Sequence, residues 1–322
     1  MRLEPIIIVA GDPRSIFFEI FFKTLNKKKY NSPIILICSQ KLLYKQLKIN
    51  KINIELNQIK IADVLKNKFN KRKLNYIDIE LKTSLRKKLN LFFIKEYIKN
   101  SFDVAFKIIK SGITNKVING PIDKRVFLEK KYLGVTEYIA KKFNIKKFVM
   151  LIYNKNLSVS PITTHLPLKF VTEKITKKLI YDKILMLNDF YKKSLKIIPK
   201  IAITGLNPHC ETIDKFDEDK EIIARAVKNL KKKGIKISGP YASDTIFLKN
   251  NRKNFHIVVG LYHDQVLTPI KTIYEFDAIN ITIGLPFIRV SPDHGPNLRM
   301  IGKNESNHLS LKRCIDFLDE IN

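Results

Sequence analysis

Short apolar runs rich in β-branched residues alternate along this chain with longer stretches whose apolar positions recur about every 3.6 residues. The runs have the length of strands, and such uniformly apolar strands are typical of a parallel sheet that helices cover. The alternation therefore predicts an α/β fold. The predicted strands are residues 6–10, 34–38, 52–55, 117–119, 148–153, 157–164, 201–206, 257–262 and 279–283.

Helices are predicted where the apolar positions keep helical spacing. The clearest covers residues 83–111, with Thr83 or Ser84 as the N-cap and Gly112 as the stop. Residues 57–82 are polar and lysine-rich without a firm period, so we expect a surface excursion there. Further helices are predicted at residues 172–191, 217–233 and about 310–321.

Length and composition narrow the class of protein. A chain of 322 residues suits two domains better than one. It has no apolar run long enough to span a bilayer and no signal-peptide pattern at its start, so a cytoplasmic, soluble protein is expected. The 3 widely spaced cysteines offer neither a disulfide framework nor a zinc ribbon.

The formal net charge of +30 invites a nucleic-acid hypothesis. The basic residues are mostly lysine, however, whereas arginine is the better reader of bases. They are also spread over nearly every predicted helix. Compositional drift at exposed positions is the favoured explanation, and no nucleic-acid partner is expected. A positive field would still attract anionic substrates.

Three histidines, His165, His209 and His263, each lie just past a predicted strand. Ligands of open α/β sheets bind beyond the carboxyl ends of the strands. Neutral imidazoles converging there, with Asp244 and Asp264 nearby in sequence, would hold a divalent cation and leave positions open for a substrate. A single histidine after a strand is more often an ordinary turn residue, and that alternative holds for each histidine taken alone.

Several segments together resemble one family, that of 4-hydroxythreonine-4-phosphate dehydrogenase, also called PdxA. The likeness is dense from Gly120 to Gly295 and covers nearly the whole chain. Because all three histidines fall in these segments, the resemblance favours the metal site over the turn residues. The segments are TTHLPL at 163–168, GLNPH at 205–209, YHDQ at 262–265, NITIGLPFIR at 280–289 and DHG at 293–295.

The resemblance implies two α/β/α domains around an interdomain cleft, as in the isocitrate and isopropylmalate dehydrogenases. The implied domains are residues 1–125 with 285–322, and residues 126–284, which carry most metal and substrate residues. It implies a homodimer whose active site is shared across the subunit interface. It also implies NAD- or NADP-linked oxidation of 4-phosphooxy-L-threonine, in pyridoxal phosphate biosynthesis, with zinc, magnesium or cobalt. The keto acid formed then loses CO₂ to give 3-amino-2-oxopropyl phosphate.

Site residues follow from the resemblance, position by position. The implied metal ligands are His165, His209 and His263, the last reaching into the partner subunit's site. Asp244, Asp264 and Lys271 are the catalytic candidates, and the sequence leaves open whether the aspartates ligate the metal, orient a histidine or accept a proton. Cofactor-binding residues are not assigned. The implied substrate contacts are Thr136, Lys271, Asn280 and Arg289.

The chain departs from the family pattern at three places. The glycine-rich turn G-[DE]-P-x-G-[IV]-G-P reads GDPRSIFF at 11–18, so that turn must be rebuilt. A substrate-contacting histidine is replaced by Val135, and residues 211–214 replace a glycine-rich stretch near the cofactor site. These losses leave two explanations open: a functional enzyme under mutational drift, or a paralogue that oxidises another phosphorylated hydroxy acid, such as a threonate phosphate. A non-catalytic basic protein that binds nucleic acid or a partner is a separate alternative, and retention of all three histidines argues against it.

Overall fold

The computed structural model describes residues 4–26, 28–82, 90–129 and 131–321. Strands and helices alternate along the chain, which confirms the α/β prediction. The strands are β1 (Ile6–Val9), β2 (Ile34–Cys38), β3 (Leu56–Gln58), β4 (Leu74–Asp78), β5 (Lys116–Asn119), β6 (Val149–Tyr153), β7 (Ser158–Pro161), β8 (Ile201–Thr204), β9 (Ile237–Tyr241), β10 (Ile257–Gly260), β11 (Ile279–Ile283) and β12 (Ile288–Pro292).

The helices differ widely in length. A π-helical turn, Asp219–Ala224, leads directly into the ninth of them. None of the helices in the described part of the chain is long and apolar enough to cross a membrane. The helices are α1 (Phe17–Leu25), α2 (Gln40–Ile49), α3 (Ile61–Leu65), α4 (Leu91–Lys110), α5 (Lys124–Leu128), α6 (Val135–Lys142), α7 (Val171–Lys174), α8 (Lys177–Ser194), α9 (Arg225–Lys232), α10 (Lys249–Arg252), α11 (His263–Tyr274) and α12 (Leu309–Glu320).

The chain forms two compact units, Met1–Ile139 with Pro286–Asn322, and Ala140–Leu285. In the first unit the strands follow the order β3-β4-β2-β1-β5-β12, and each neighbouring pair is parallel. All four residues of β1 are fully buried. Helix α4 packs on β1 and β2, and α12 packs on β1, β5 and β12. The domain boundaries implied by the resemblance stay a prediction.

In the second unit the strand order is β11-β6-β7-β10-β8-β9. The run β7-β10-β8-β9 is parallel, whereas β6 pairs antiparallel with both β7 and β11. Helix α11 packs on β7 and β10, and α8 packs on β6 and β11. The parallel sheet that was predicted for the histidine-bearing strands is therefore confirmed.

Three predictions for the strands were wrong. Residues 57–82 are not a surface excursion, because they contain α3 and the buried strand β4. Their apolar pattern is hard to detect because the buried Asn75 interrupts it, and its amide is satisfied by Asn70. The strand predicted at 52–55 begins instead at Leu56. Strands β9 and β12 were missed, since both contain proline, which is rare in strands.

Two of the predicted helices differ from the structure. One begins later than predicted, and the other is divided into two. Helix α4 starts after Asn90, whose side chain accepts hydrogen bonds from the amides of Phe92 and Phe93 at 2.7 and 3.2 Å. The predicted caps at 83 and 84 lie outside the described residues. The helix predicted at 172–191 is divided into α7 and α8, because the Thr176 hydroxyl starts a new helix by accepting from the Leu179 amide.

The turns after β1 and β5 lie so close together that the backbone of Gly120 contacts the backbone of Ala10. A Cβ on Gly120 would lie 2.3 Å from the Ala10 carbonyl oxygen and 2.6 Å from a ring carbon of Phe17. The turn after β1 has Ser15 and Phe17 at the positions of the pattern's second and third glycines. Its Asp12 carboxylate accepts from the Arg14 amide and guanidinium, each at 2.9 Å. The Phe17 ring is buried and stacks on Phe21 with a centroid distance of 5.3 Å.

Candidate functional site

The carboxyl ends of β7, β10 and β8 lie at the same edge of the second unit's sheet. The three strands are neighbours, and they run parallel. Gly260 at the end of β10 is opposite Pro161 at the end of β7, and Val259 is opposite Ile203 on β8. The three turns that follow these strands therefore leave the sheet side by side, which is the usual place for a ligand in an open α/β sheet.

Each predicted histidine lies in one of these turns. His165 follows β7, His209 lies in a single helical turn after β8, and His263 is the first residue of α11 after β10. The His165 and His263 rings are 5.9 Å apart between centroids. His209 contacts a different residue: its Nδ1 lies 3.9 Å from a carboxylate oxygen of Asp244. The Nδ1 of His263 is 2.6 Å from a carboxylate oxygen of Asp264.

The three imidazoles do not converge within a single chain. Among the residues that the structure describes, no group of three or more histidine, cysteine, aspartate or glutamate side chains is placed to hold a metal ion. The donor types still suit a divalent cation, since imidazole and carboxylate are the ligands of catalytic zinc. A site completed by His263 of the partner subunit stays a prediction.

The turn that carries His209 is held in an unusual conformation. His209 and Cys210 both have positive φ, at 56° and 62°. The buried Asp219 carboxylate fixes the turn by accepting from the backbone amides of Leu206 and Asn207 at 2.7 and 3.1 Å. Burial raises the pKa of the Cys210 thiol, and the Asp219 charge adds to the shift.

Arg289 lies within strand β12 of the first unit, one of the strands that the sequence did not predict. Its guanidinium Nε donates to the Asn119 amide oxygen at 2.8 Å, and its Nη1 donates to the Thr136 hydroxyl at 3.0 Å. The side chain is buried, and this burial lowers its pKa to about 10, with the Glu137 charge opposing the shift. Two of the predicted substrate contacts are therefore hydrogen-bonded to each other.

The other two predicted substrate contacts belong to the second unit. Lys271 lies on α11, the helix that His263 begins, and it is half-buried. Asn280 lies on β11, and its amide oxygen is buried and accepts no hydrogen bond from the residues that the structure describes. A buried acceptor without a donor is rare in folded proteins. A substrate hydroxyl or amine would satisfy it.

Sequence reasoning missed three residues that support the site. Asn119 holds Arg289, Asp219 holds the His209 turn, and Gln265 bonds to the turns after β8 and β10. Gln265 stood in a quoted motif, but nothing in the pattern distinguished its role. Each acts through groups that are distant in sequence, so only the folded chain shows the contact.

The chain matches the family described as "Pyridoxal phosphate biosynthetic protein PdxA" over residues 29–318. It is 38% identical, over 96% of its length and 95% of the relative's, to a protein of Sulfurihydrogenibium sp. (strain YO3AOP1) named 4-hydroxythreonine-4-phosphate dehydrogenase. It is 31% identical, over 90% of both chains, to a protein of Pectobacterium atrosepticum named D-threonate 4-phosphate dehydrogenase.

Solved structures agree with this result. The crystal structure of a 4-hydroxythreonine-4-phosphate dehydrogenase from Klebsiella pneumoniae superposes with a TM-score of 0.82 at 27% identity, covering 98% of this chain and 97% of that one. An isocitrate dehydrogenase from Methylococcus capsulatus superposes with a TM-score of 0.50 at 10% identity, covering 97% and 84%, which shows a shared fold. The predicted fold family is confirmed, and the chain belongs to the PdxA family of pyridoxal phosphate biosynthetic proteins.

Proposed function

We propose that this protein is an NAD- or NADP-linked dehydrogenase that oxidises the C3 hydroxyl of 4-phosphooxy-L-threonine. The product is 2-amino-3-oxo-4-phosphooxybutanoate, which loses CO₂ to give 3-amino-2-oxopropyl phosphate. One observation carries the proposal: in a chain of the PdxA family, His165, His209 and His263 occupy adjacent turns at the carboxyl edge of one parallel sheet. That edge is where α/β enzymes of this class bind their ligands.

The three histidines would hold a divalent cation, zinc, magnesium or cobalt, with His263 serving the partner subunit of a homodimer. Bound there, the cation would supply Lewis acidity that makes the substrate hydroxyl easier to deprotonate. Asp264, in contact with His263 Nδ1, would fix that ring's tautomer and orientation. Asp244, 3.9 Å from His209, is placed either to orient His209 or to accept a proton.

The substrate is a small dianion, and the chain offers cationic and neutral donors for it. Arg289 is protonated at neutral pH, because its pKa of about 10 is still well above 7. Arg289 and Lys271 would bind the phosphate or the carboxylate, and Thr136 and Asn280 would orient the substrate through neutral hydrogen bonds. Lys271 is also a candidate for proton transfer to or from the substrate.

A phosphorylated threonate is the second candidate substrate. The D-threonate 4-phosphate dehydrogenase of P. atrosepticum is nearly as similar in sequence as several 4-hydroxythreonine-4-phosphate dehydrogenases. The two substrates share the phosphate and the C3 hydroxyl and differ at C2, which carries an amine in one and a hydroxyl in the other. Val135 favours this candidate, because it stands beside Thr136 where the family pattern has a substrate-contacting histidine.

The decisive experiment measures nicotinamide reduction by the purified protein with each substrate, after chelation and again after divalent metals are added back. Metal-dependent reduction with 4-phosphooxy-L-threonine supports the proposal. Reduction with the threonate phosphate alone would favour the second substrate. No reduction with either, together with salt-sensitive binding of nucleic acid, would favour a non-catalytic basic protein.

A further inference from the structure

The Gln265 side chain lies between the turns that carry the histidines. It is buried, and it belongs to the first turn of α11. Its Oε1 accepts hydrogen bonds from the Thr204 hydroxyl at 2.8 Å and from the Leu261 amide at 2.7 Å. Its Nε2 donates to the Gly205 carbonyl at 2.7 Å. Every polar atom of this amide side chain is therefore engaged with a neighbouring strand end.

These bonds join the turns after β8 and β10. Thr204 is the last residue of β8, and Gly205 begins the turn to His209. Leu261 follows β10 directly and leads to His263. One side chain thus fixes the starting points of two histidine-bearing turns relative to each other.

The third turn is tied to the same point through Leu261. The Leu261 carbonyl accepts from the Thr163 backbone amide at 3.1 Å and from the Thr163 hydroxyl at 2.8 Å. Thr163 stands in the turn between β7 and His165. A continuous series of buried hydrogen bonds therefore runs from Gly205 through Gln265 and Leu261 to Thr163, and it spans all three turns.

Only a primary amide meets the requirements at this position. The contacts need one atom that accepts from two donors and another that donates to a carbonyl, which asparagine and glutamine alone provide among the uncharged side chains. A Cβ on Gly260 would lie 3.1 Å from Gln265 Oε1 and 2.5 Å from a methyl group of Val266, so glycine there lets α11 approach the strand end. An apolar residue in place of Gln265 would leave buried polar groups unpaired.

We propose that Gln265 is a positioning residue that holds the His165 and His209 turns for the metal site of its own chain and the His263 turn for the site of the partner subunit, without itself touching metal or substrate. The link to metal rests on the proposed function. The mechanical part of the proposal, that one amide couples three turns, does not depend on it. Residues that orient metal ligands through hydrogen bonds typically change metal affinity by about 10- to 100-fold when they are replaced.

The first test titrates tag-free, full-length protein with Co²⁺ after chelation and follows the absorption of the bound ion. Gln265→Glu removes the donor to Gly205, and Thr204→Val removes one donor to Gln265. Both variants are expected to bind Co²⁺ at least about tenfold more weakly. Thr204→Ser keeps the hydroxyl and should restore the wild-type affinity.

The matched control is Ser158→Ala, which removes a buried hydroxyl hydrogen bond to Tyr191 in the same unit, away from the three turns. It should lower the thermal midpoint about as much as Thr204→Val does and leave the Co²⁺ affinity unchanged. Equal affinity in wild type and Gln265→Glu would overturn the proposal. So would an equal loss in Ser158→Ala, because general destabilisation would then explain the result.

Hydrogen–deuterium exchange separates this proposal from the proposed function. In Gln265→Glu, peptides covering residues 161–167, 205–211 and 260–264 should all exchange faster, and in Ser158→Ala they should not. Faster exchange confined to the α11 peptide would overturn the positioning role. If wild-type protein binds no Co²⁺, the metal part of the proposed function fails, and the exchange pattern alone decides the role of Gln265.

Discussion

The Arg289 guanidinium is held on its Nε by the amide oxygen of Asn119, at 2.8 Å and out of contact with bulk water. The two residues lie on the paired parallel strands β12 and β5, although 170 residues separate them in sequence. The neutral Asn119 amide orients the Arg289 guanidinium group and does not neutralise its positive charge. This arrangement suits an arginine that must remain cationic to bind an anion.

Arg289→Lys is therefore expected to raise the KM for the phosphorylated substrate by about tenfold or more, and to change kcat less. Lysine keeps the charge, but it lacks the planar guanidinium group that donates to both Asn119 and Thr136. The loss of one charge-assisted hydrogen bond costs about 1.5–3 kcal/mol. Steady-state kinetics measures the effect. Arg252→Lys is the control, since Arg252 bonds only to the nearby Phe247 carbonyl among the contacts described for it. Unchanged kinetics in Arg289→Lys would remove Arg289 from the site.

The His209 turn allows ligation to be tested without disturbing the backbone. Asparagine adopts positive φ more readily than other non-glycine residues. His209→Asn should therefore keep the thermal midpoint, lose the bound metal and abolish turnover. Metal analysis of dialysed protein checks this, with His308→Ala at the start of α12 as the comparison. Full activity in the His209 variant would sink its assignment as a ligand.

Position 120 should not tolerate a methyl group, because Gly120 lies in close contact with the turn after β1. Gly120→Ala would place a Cβ 2.3 Å from the Ala10 carbonyl, so the backbone must move, at a cost of about 3 kcal/mol or more of unfolding free energy. Gly295→Ala, with no atom within 4 Å of its new Cβ, should be nearly neutral. Urea denaturation of both variants measures the difference. Equal midpoints would contradict the close approach.

His256 should make stability fall in mild acid. Its Nδ1 accepts from the Lys200 amide at 2.9 Å, which requires the neutral ring. Burial lowers its pKa below the usual 6.5, and the Lys200 charge adds to the shift. Because the unfolded chain binds the proton more readily, the contribution is complete above pH 6.5 and is lost as the pH falls below that value.

The corresponding variant is His256→Gln, which keeps an acceptor but does not titrate. On going from pH 7.5 to pH 5.5, the urea midpoint should fall further in wild type than in this variant. An identical fall in both proteins would show that His256 contributes nothing to the pH dependence.

The sequence predicted most of the strands, because buried β-branched runs such as those of β1, β2 and β10 have only one stable environment. The prediction failed where a buried polar residue or a proline interrupts the apolar pattern of a strand. Asn75 made β4 resemble a loop, and proline concealed β12, which carries Arg289. In each case pairing with a strand that is distant in sequence overrides the local pattern.

The histidines of the site could be predicted, since a histidine just past a parallel strand has a known geometric meaning. Their partners could not. Asn119, Asp219 and Gln265 are ordinary polar residues in the sequence, and their importance comes from the groups that the fold brings beside them. The gap of 60 residues between Gln265 and Gly205 contains nothing that predicts their hydrogen bond.

The buried Phe17 ring limits which substitutions the turn after β1 can accept. It now fills the space beside Gly120 where the family pattern has a glycine, and it stacks on Phe21. Restoring glycine at position 17 by a single substitution would empty a ring-sized volume in the core, a loss of about 3–5 kcal/mol. A glycine-rich turn is therefore not reached from this chain by one neutral substitution, because the packing around the Phe17 ring depends on that ring.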